Sequence, residues 1–263
     1  LDLHRSQSAL LWSLRKEENG RTVVPFRHGR VGWFDYRTMQ PRHHLHLYFI
    51  SRDSEDLARI EERFPDRASW YTAPPHFGKA GHFWPERWFG FMLGENPDFP
   101  TQVLEDTYTC MQQRLDKIER DDWDNLEQWD VHHWQDLNPV VPEGLIQMAM
   151  GTPAAVYHGG LLHASVRYFV PPSEGAAGRP GLPEDVAALV EAITDDGLTL
   201  NLVNTNPLES RDVIVQAGGF GEHRFRDVVD VGVEGGPPTA VNARAMQVTL
   251  GPWSQARLRI GME

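Results

Sequence analysis

From residue 163 onward the chain is written in short alternating segments, and this pattern restricts its fold more than any single motif does. In LTLNLVNT (198–205), Leu198, Leu200 and Leu202 fall on one side of an extended chain until Val203 interrupts them. That is the period-two mark of a half-buried strand. Asp195-Asp196-Gly197 just ahead of it is a turn signal. HASVRYFV (163–170), RDVIVQAGG (211–219), HRFRDVVDVG (223–232), ARAMQVTLG (243–251) and SQARLRIGM (254–262) continue the series. Several short strands broken by turns predict an antiparallel β-sandwich. DVAALVEAIT (185–194) also fits a helix through Val186, Leu189, Val190 and Ile193. The turn that follows it favours a strand.

The leading part uses a different vocabulary. Eight of nine Trp lie at or before position 134, and eleven of twelve His at or before 163. It reads as mainly helical. In TQVLEDTYTCMQQRLDKIERD (101–121), Leu104, Tyr108, Met111, Leu115 and Ile118 recur in steps of four and three, one face of a helix. Asp53-Ser54 opens a shorter helix through Phe64, with acids suited to the helix dipole. VPEGLIQMAMG (141–151) has Pro142 at a helix start and Gly151 just past its end. HLHLYFI (44–50), aromatic and branched without a helical stripe, is expected to be a strand. The Pro- and Gly-rich PPSEGAAGRPGLPED (171–185) is a connection or domain edge. The fold class expected is α+β: a helical part over 1–160, then an antiparallel β-sandwich over 161–263.

A net charge of -12 argues against nucleic acid as a partner. Cys110 stands alone, so neither an intramolecular disulfide nor a thiolate metal cluster can form. No apolar run approaches the roughly 18 residues of a membrane span. The first residues, LDLHRSQSALLWSL, carry neither an initiator Met nor a secretion signal. The expectation is a processed product or a piece of a larger parent chain. Neither a dinucleotide fingerprint nor a Gly-x-Ser-x-Gly elbow occurs.

Helices ending in EGLIQMAMG, the passage AVYHGGLLHASVRYF and then a run of strands resemble the end of α/α-toroid proteins with a C-terminal β domain. Many of those are glycoside hydrolases or polysaccharide lyases. LTLNLVNTNPLESRDVIVQAG looks like their accessory sandwich. The resemblance covers about the last half of the chain. It implies a toroid fragment, because a complete toroid needs more helices than this chain supplies.

Four stretches could carry chemistry. WDVHHWQDLNP (129–139) offers indole faces at Trp129 and Trp134 for the apolar faces of sugars, with His133 and Asp136 for proton transfer. His133 is preferred to His132 because Asp136 lies three residues on. A bend capped by Asp136 or Asn138, with Pro139 and Pro142 setting the turn, explains the same residues. In RHHLHLYF (42–49), His44 and His46 share one face of a strand, half of a site for a divalent metal such as zinc, iron or copper. KAGHFWPERWFGFMLGENPDFP (79–100) puts Trp84 and Trp88 at helical spacing, as core or as a stacking platform, followed by Glu95 and Asp98 as candidate acids. Glu105 is a further candidate acid, explained equally well by an exposed helix face. YHGGLLH (157–163) combines His158 and His163 with a glycine pair that admits close backbone approach, or makes a turn.

The leading expectation is a carbohydrate-active protein with acid/base chemistry in its Trp- and His-rich part and a sandwich as support. Two alternatives stand beside it. One is a metal-dependent enzyme of another class anchored on His44 and His46. The other is a structural or assembly subunit, oligomeric through exposed tryptophans.

Overall fold

The computed structural model describes residues 1–72, 85–135, 137–152, 160–233 and 235–263. The chain forms two compact units, Leu1–Trp70 and Tyr71–Glu263. Its class is α+β, with helices concentrated in the N-terminal part and an antiparallel sandwich after them.

The first unit starts with α1 (Asp2–Ser13), followed by a three-stranded antiparallel meander of β1 (Lys16–Glu18), β2 (Arg21–Gly29) and β3 (Gly32–Thr38). Asn19 and Gly20, with φ of 53° and 73°, make the tight link between β1 and β2, the positive-φ pair that a two-residue hairpin favours. Next come α2 (Arg42–Ser51) and α3 (Ser54–Arg63), while α4 (Ala68–Thr72) crosses the division between the units. Helix α3 starts where Asp53 caps it, its side chain accepting from the Glu55 N–H at 2.9 Å. Buried Asp56 accepts from Arg5 at 2.6 Å and from the Ser51 hydroxyl at 2.7 Å, and also takes Arg59, tying α1 to α3.

The strand expected over 44–50 is a helix, α2. Leu45, Leu47 and Phe49 are all buried, so α2 is apolar on more than one side and shows no stripe in the sequence. Of its apolar residues only Ile50 is β-branched, and Arg52, with φ of 53°, ends the helix in a left-handed cap. A short apolar run of this kind does not distinguish helix from strand by its pattern.

In the second unit α5 (Pro85–Met92) packs against the long α6 (Phe99–Arg120) through Trp88, Phe89 and Phe99, all fully buried. Gly94, with φ of 74°, closes the end of α5. Helix α6 turns Phe99, Val103, Thr107 and Cys110 inward. The row read from its spacing, Leu104, Tyr108, Met111 and Leu115, is instead exposed. Both rows have helical periodicity, and the positions of α5 and α8 decide which one is covered. After α7 (Val131–Gln135) comes α8 (Glu143–Met150), ended by Gly151 in the left-handed conformation, φ 61°.

The sandwich is built from β4 (Val166–Val170), β5 (Arg179–Pro180), β6 (Val186–Thr194), β7 (Gly197–Asn204), β8 (Arg211–Ala217), β9 (Phe225–Asp230), β10 (Thr239–Ala243), β11 (Ala245–Leu250) and β12 (Gln255–Met262). One sheet has the order β10-β9-β12-β7-β6 and the other β11-β8-β4-β5, with every pairing antiparallel. Val190, Leu200 and Leu202 from the first sheet meet Val166, Val213 and Val215 from the second in one sealed core. Residues 185–194, which fitted either element, form strand β6 through Val186–Thr194. The connection read over 171–185 contains the short β5. Helix α8 lies against β6, and the Tyr168 hydroxyl donates to the Ala149 carbonyl at its end. The division expected at 160/161 therefore separates helix-bearing from strand-bearing sequence inside the second unit.

Candidate functional site

Helix α6 ends at Arg120, and Asp121 leaves it with extended backbone. The Trp123 indole N–H donates to the Ile118 carbonyl at 2.8 Å, pinning that ring to the end of the helix. A 3-10 turn over Leu126–Gln128 brings the chain to Trp129. Asp130 then caps α7, its Oδ1 accepting from the His132 and His133 N–H groups, both at 2.9 Å. This capping aims the next residues. Trp129 becomes the centre of an aromatic cluster, its ring centroid 5.1 Å from Trp123, 4.8 Å from Trp134 and 4.2 Å from His133. Trp123 and Trp134 remain 47% and 48% exposed, so the cluster opens to solvent.

His133 binds Asp121, with Nε2 to Oδ2 at 2.7 Å. In the neutral imidazole this contact places the proton on Nε2 and the lone pair on Nδ1. Nδ1 has no hydrogen-bond partner among the described residues. The carboxylate serving His133 therefore comes from the end of α6. Asp136, the partner expected from spacing, lies outside the described residues, as does Trp84. The other expected cap, Asn138, accepts instead from the Val140 N–H at 3.0 Å. Trp123 and Asp121 were missed, although the acid- and Trp-bearing DDWDNLEQW just past a long helix was visible.

The remaining sequence-derived residues are not gathered here. Trp88 is core, its ring 5.7 Å from both Phe91 and Phe99, and does not bind a ligand from solvent. Glu95 accepts from the Tyr71 hydroxyl. Asp98 is exposed at the start of α6, and Glu105 is exposed along it. At 1.5 Å of rise per residue, Asp98 lies about 34 Å and Glu105 about 24 Å along the axis from Asp121. Neither acid can share a reaction centre with His133. His163 is exposed in a 3-10 turn, and His158 lies outside the described residues.

The premise of the metal site also changes. In helix α2, His44 and His46 are two residues apart, and their side chains diverge by about 160° instead of sharing a face. Among the described residues no group of three or more His, Cys, Asp or Glu is arranged to hold a metal ion.

His44 belongs instead to a cleft of about 500 Å³ within the first unit. One face of α1 contributes His4, Ser8 and Leu11, the meander contributes Phe26, Trp33 and Arg37, and α2 contributes His43 and His44. Arg63 donates to the Ser8 oxygen, Ser8 Oγ lies 3.4 Å from His44 Nδ1, and His44 Nε2 lies 3.1 Å from Met39 Sδ. Burial, helped by Arg63 and by His4 and His43, pushes the His44 pKa down to about 4. Burial and the neighbouring His43 lower His4 as well. The spacing of His4, Ser8 and Leu11 marks a helix face in the sequence, but their partners come from elements that only the fold brings near.

The chain is thus an α+β protein that joins helices to a two-sheet sandwich, with an open indole cluster beside an aspartate–histidine pair. The model of a family described as Domain of unknown function (DUF8034) matches residues 4–146, more than half of the chain, and the chain belongs to that family. The match starts in α1 and ends in α8, taking in the first unit and the indole cluster but stopping before the sandwich. Neither curated proteins nor solved structures yield a match.

Proposed function

We propose that this is a carbohydrate-active protein whose second unit holds a sugar on the Trp123–Trp129–Trp134 cluster and uses His133, oriented by Asp121, as a base. The supporting observation is the coincidence of half-exposed indoles with an aspartate–histidine pair 4.2 Å from the central ring. Indole faces complement the C–H faces of pyranose rings, and a lone pair on Nδ1 can accept a proton from a bound hydroxyl or an acidic carbon. Glycoside hydrolysis by paired carboxylates needs two of them flanking the scissile bond, about 5–9.5 Å apart, and Asp98 and Glu105 lie too far along α6 to flank a sugar held at the indole cluster. Within this reading, binding with proton abstraction fits the described residues better.

The test is titration with a panel of neutral and acidic oligosaccharides, followed by tryptophan fluorescence. Trp129→Ala should weaken binding by about 30-fold, equivalent to ~2 kcal/mol. His133→Ala should abolish turnover of a bound glycan while leaving its affinity within a few-fold. A panel without effect, or unchanged affinity in Trp129→Ala, removes this reading.

A second reading, an assembly subunit, is favoured by the exposed row on α6. Leu104, Tyr108, Met111, Leu115 and half-buried Ile118 follow the alternating four-and-three spacing of a coiled-coil seam. Sedimentation of the wild type against Leu104→Glu/Met111→Glu decides it: a dimer dispersed by the variant supports assembly, and a wild-type monomer at high concentration refutes it.

A further inference from the structure

The cleft of the first unit has features of a built ligand site that the carbohydrate reading does not use. Its volume of about 500 Å³ falls within the range of small-molecule sites, roughly 300–1,000 Å³. Phe26 and Trp33 supply aromatic wall, and both imidazole nitrogens of His44 are engaged by Ser8 and Met39. The inner histidine is therefore committed to the protein, while His4, whose ring also meets the His43 backbone, and the exposed His43 face the rest of the cleft.

The spacing of those two rings is informative. Their centroids lie 6.3 Å apart, and those of His4 and His44 6.5 Å apart. An oxygen accepting from two imidazole N–H groups at about 2.9 Å lies about 4 Å from each centroid, and a separation of 6.3 Å then corresponds to an angle of about 105° at the oxygen. That lies within the broad range of directions from which a carboxylate oxygen accepts. Two imidazoles on a tetrahedral metal, bound at about 2.1 Å, would have centroids only about 5.3 Å apart. The separation of 6.3 Å is wider than a shared metal would set and leaves room for an oxygen that accepts from both rings.

A second, independent device borders the same cleft, where Arg37 and Phe26 line it. Asp35 has a left-handed backbone, φ 58°, which is uncommon for a residue other than glycine. Its carboxylate accepts from Arg37 at 3.0 and 2.6 Å, and that guanidinium lies 4.2 Å from the centroid of Phe26. Arg37 Nη1 makes no bond among the described residues. An arginine is thus held over an aromatic wall of the cleft with one nitrogen to spare.

We propose that this cleft binds a carboxylate carried on a six-membered ring, with the ring against Trp33 and Phe26 and the carboxylate received by His4 and His43, Arg37 adding a donor. An arene acid and a sugar acid share this chemistry. The test uses the full chain, with benzoate and glucuronate as probes and benzamide and glucose as their uncharged counterparts. Binding is read from the NMR resonances of the His4 and His43 rings and from isothermal calorimetry. Saturable binding of at least one acid, at least tenfold tighter than its uncharged counterpart and weakened at least tenfold in His43→Gln or His4→Gln, is expected. Benzoate alone identifies an arene acid and glucuronate alone a sugar acid, and binding of both supports the shared chemistry. The proposal is overturned if neither acid moves the two histidine resonances, if the uncharged counterparts bind equally well, or if both Gln variants bind as the wild type does. Because the readout lies in the first unit, its outcome is independent of the indole cluster.

Discussion

Replacing His44 with phenylalanine should remove a large part of the pH dependence of the first unit's stability in mildly acid solution. In an unfolded chain the imidazole titrates near 6.5, whereas in the fold burial pushes it down to about 4. Between those values the unfolded state binds the extra proton, so stability rises with pH across the window. The contribution is fully present above about 6.5 and is lost as pH falls toward about 4. A difference of about 2.5 pH units (6.5 less 4) amounts to roughly 3 kcal/mol, a conversion that its 6% exposure permits. Between pH 7.5 and 5.0 the same linkage yields about 2 kcal/mol. Urea denaturation at these two pH values, on the wild type and His44→Phe, measures it. The wild type should lose about 2 kcal/mol more than the variant, and His4, whose shift has the same sign, cancels in the comparison. The NMR signal absent from His44→Phe identifies His44 in the wild type and should titrate near pH 4. A midpoint above about 6, or equal losses in both proteins, would refute the reasoning.

Asp56 should govern the acid limb below that window. Burial alone would raise its pKa, but hydrogen bonds from Arg5 and Ser51 hold it below the usual carboxylate range. Its stabilisation is therefore present above about pH 3.9 and lost as pH falls further, and Asp56→Asn should flatten that part of a stability–pH curve. Gly197→Ala should lower the melting temperature by several degrees, about 2 kcal/mol, because the added Cβ would stand 2.1 Å from the Ile260 carbonyl oxygen on β12; an unchanged calorimetric trace would show that the strands part freely. Trp88→Ala should cost about 3–5 kcal/mol in denaturant unfolding, and a cost under 1 would contradict its burial among Phe91 and Phe99. Asp130→Ala removes the cap of α7, with an expected loss of about 1 kcal/mol and altered emission from Trp129 and Trp134; identical spectra would mean that the cap does not orient the cluster.

The strands of the sandwich were legible because their signal is local. Leu198, Leu200 and Leu202 alternate within one segment, and Asp195-Asp196-Gly197 turns the chain just before them. Helices α3 and α8 were likewise marked by their own ends, Asp53 and Gly151. Helix α2 was not, since a helix buried on several sides carries no stripe to distinguish it from a strand. The Asn19-Gly20 hairpin carries an equally local mark, a residue pair suited to positive φ. For the indole cluster the sequence indicated Trp129, Trp134 and His133, but Asp121 is twelve residues away and meets His133 only because the chain folds back from α6.

Patterns of period and punctuation alone determined the α+β class, the antiparallel sandwich and the concentration of aromatic and imidazole side chains ahead of it, because such patterns act between residues close along the chain. The tertiary structure decided which row of α6 is covered, which carboxylate serves His133, and that His4, His43 and His44 converge with Trp33 and Phe26 on one cleft. Those outcomes depend on which elements come to lie together, and neighbours in space leave no spacing in the sequence to be read.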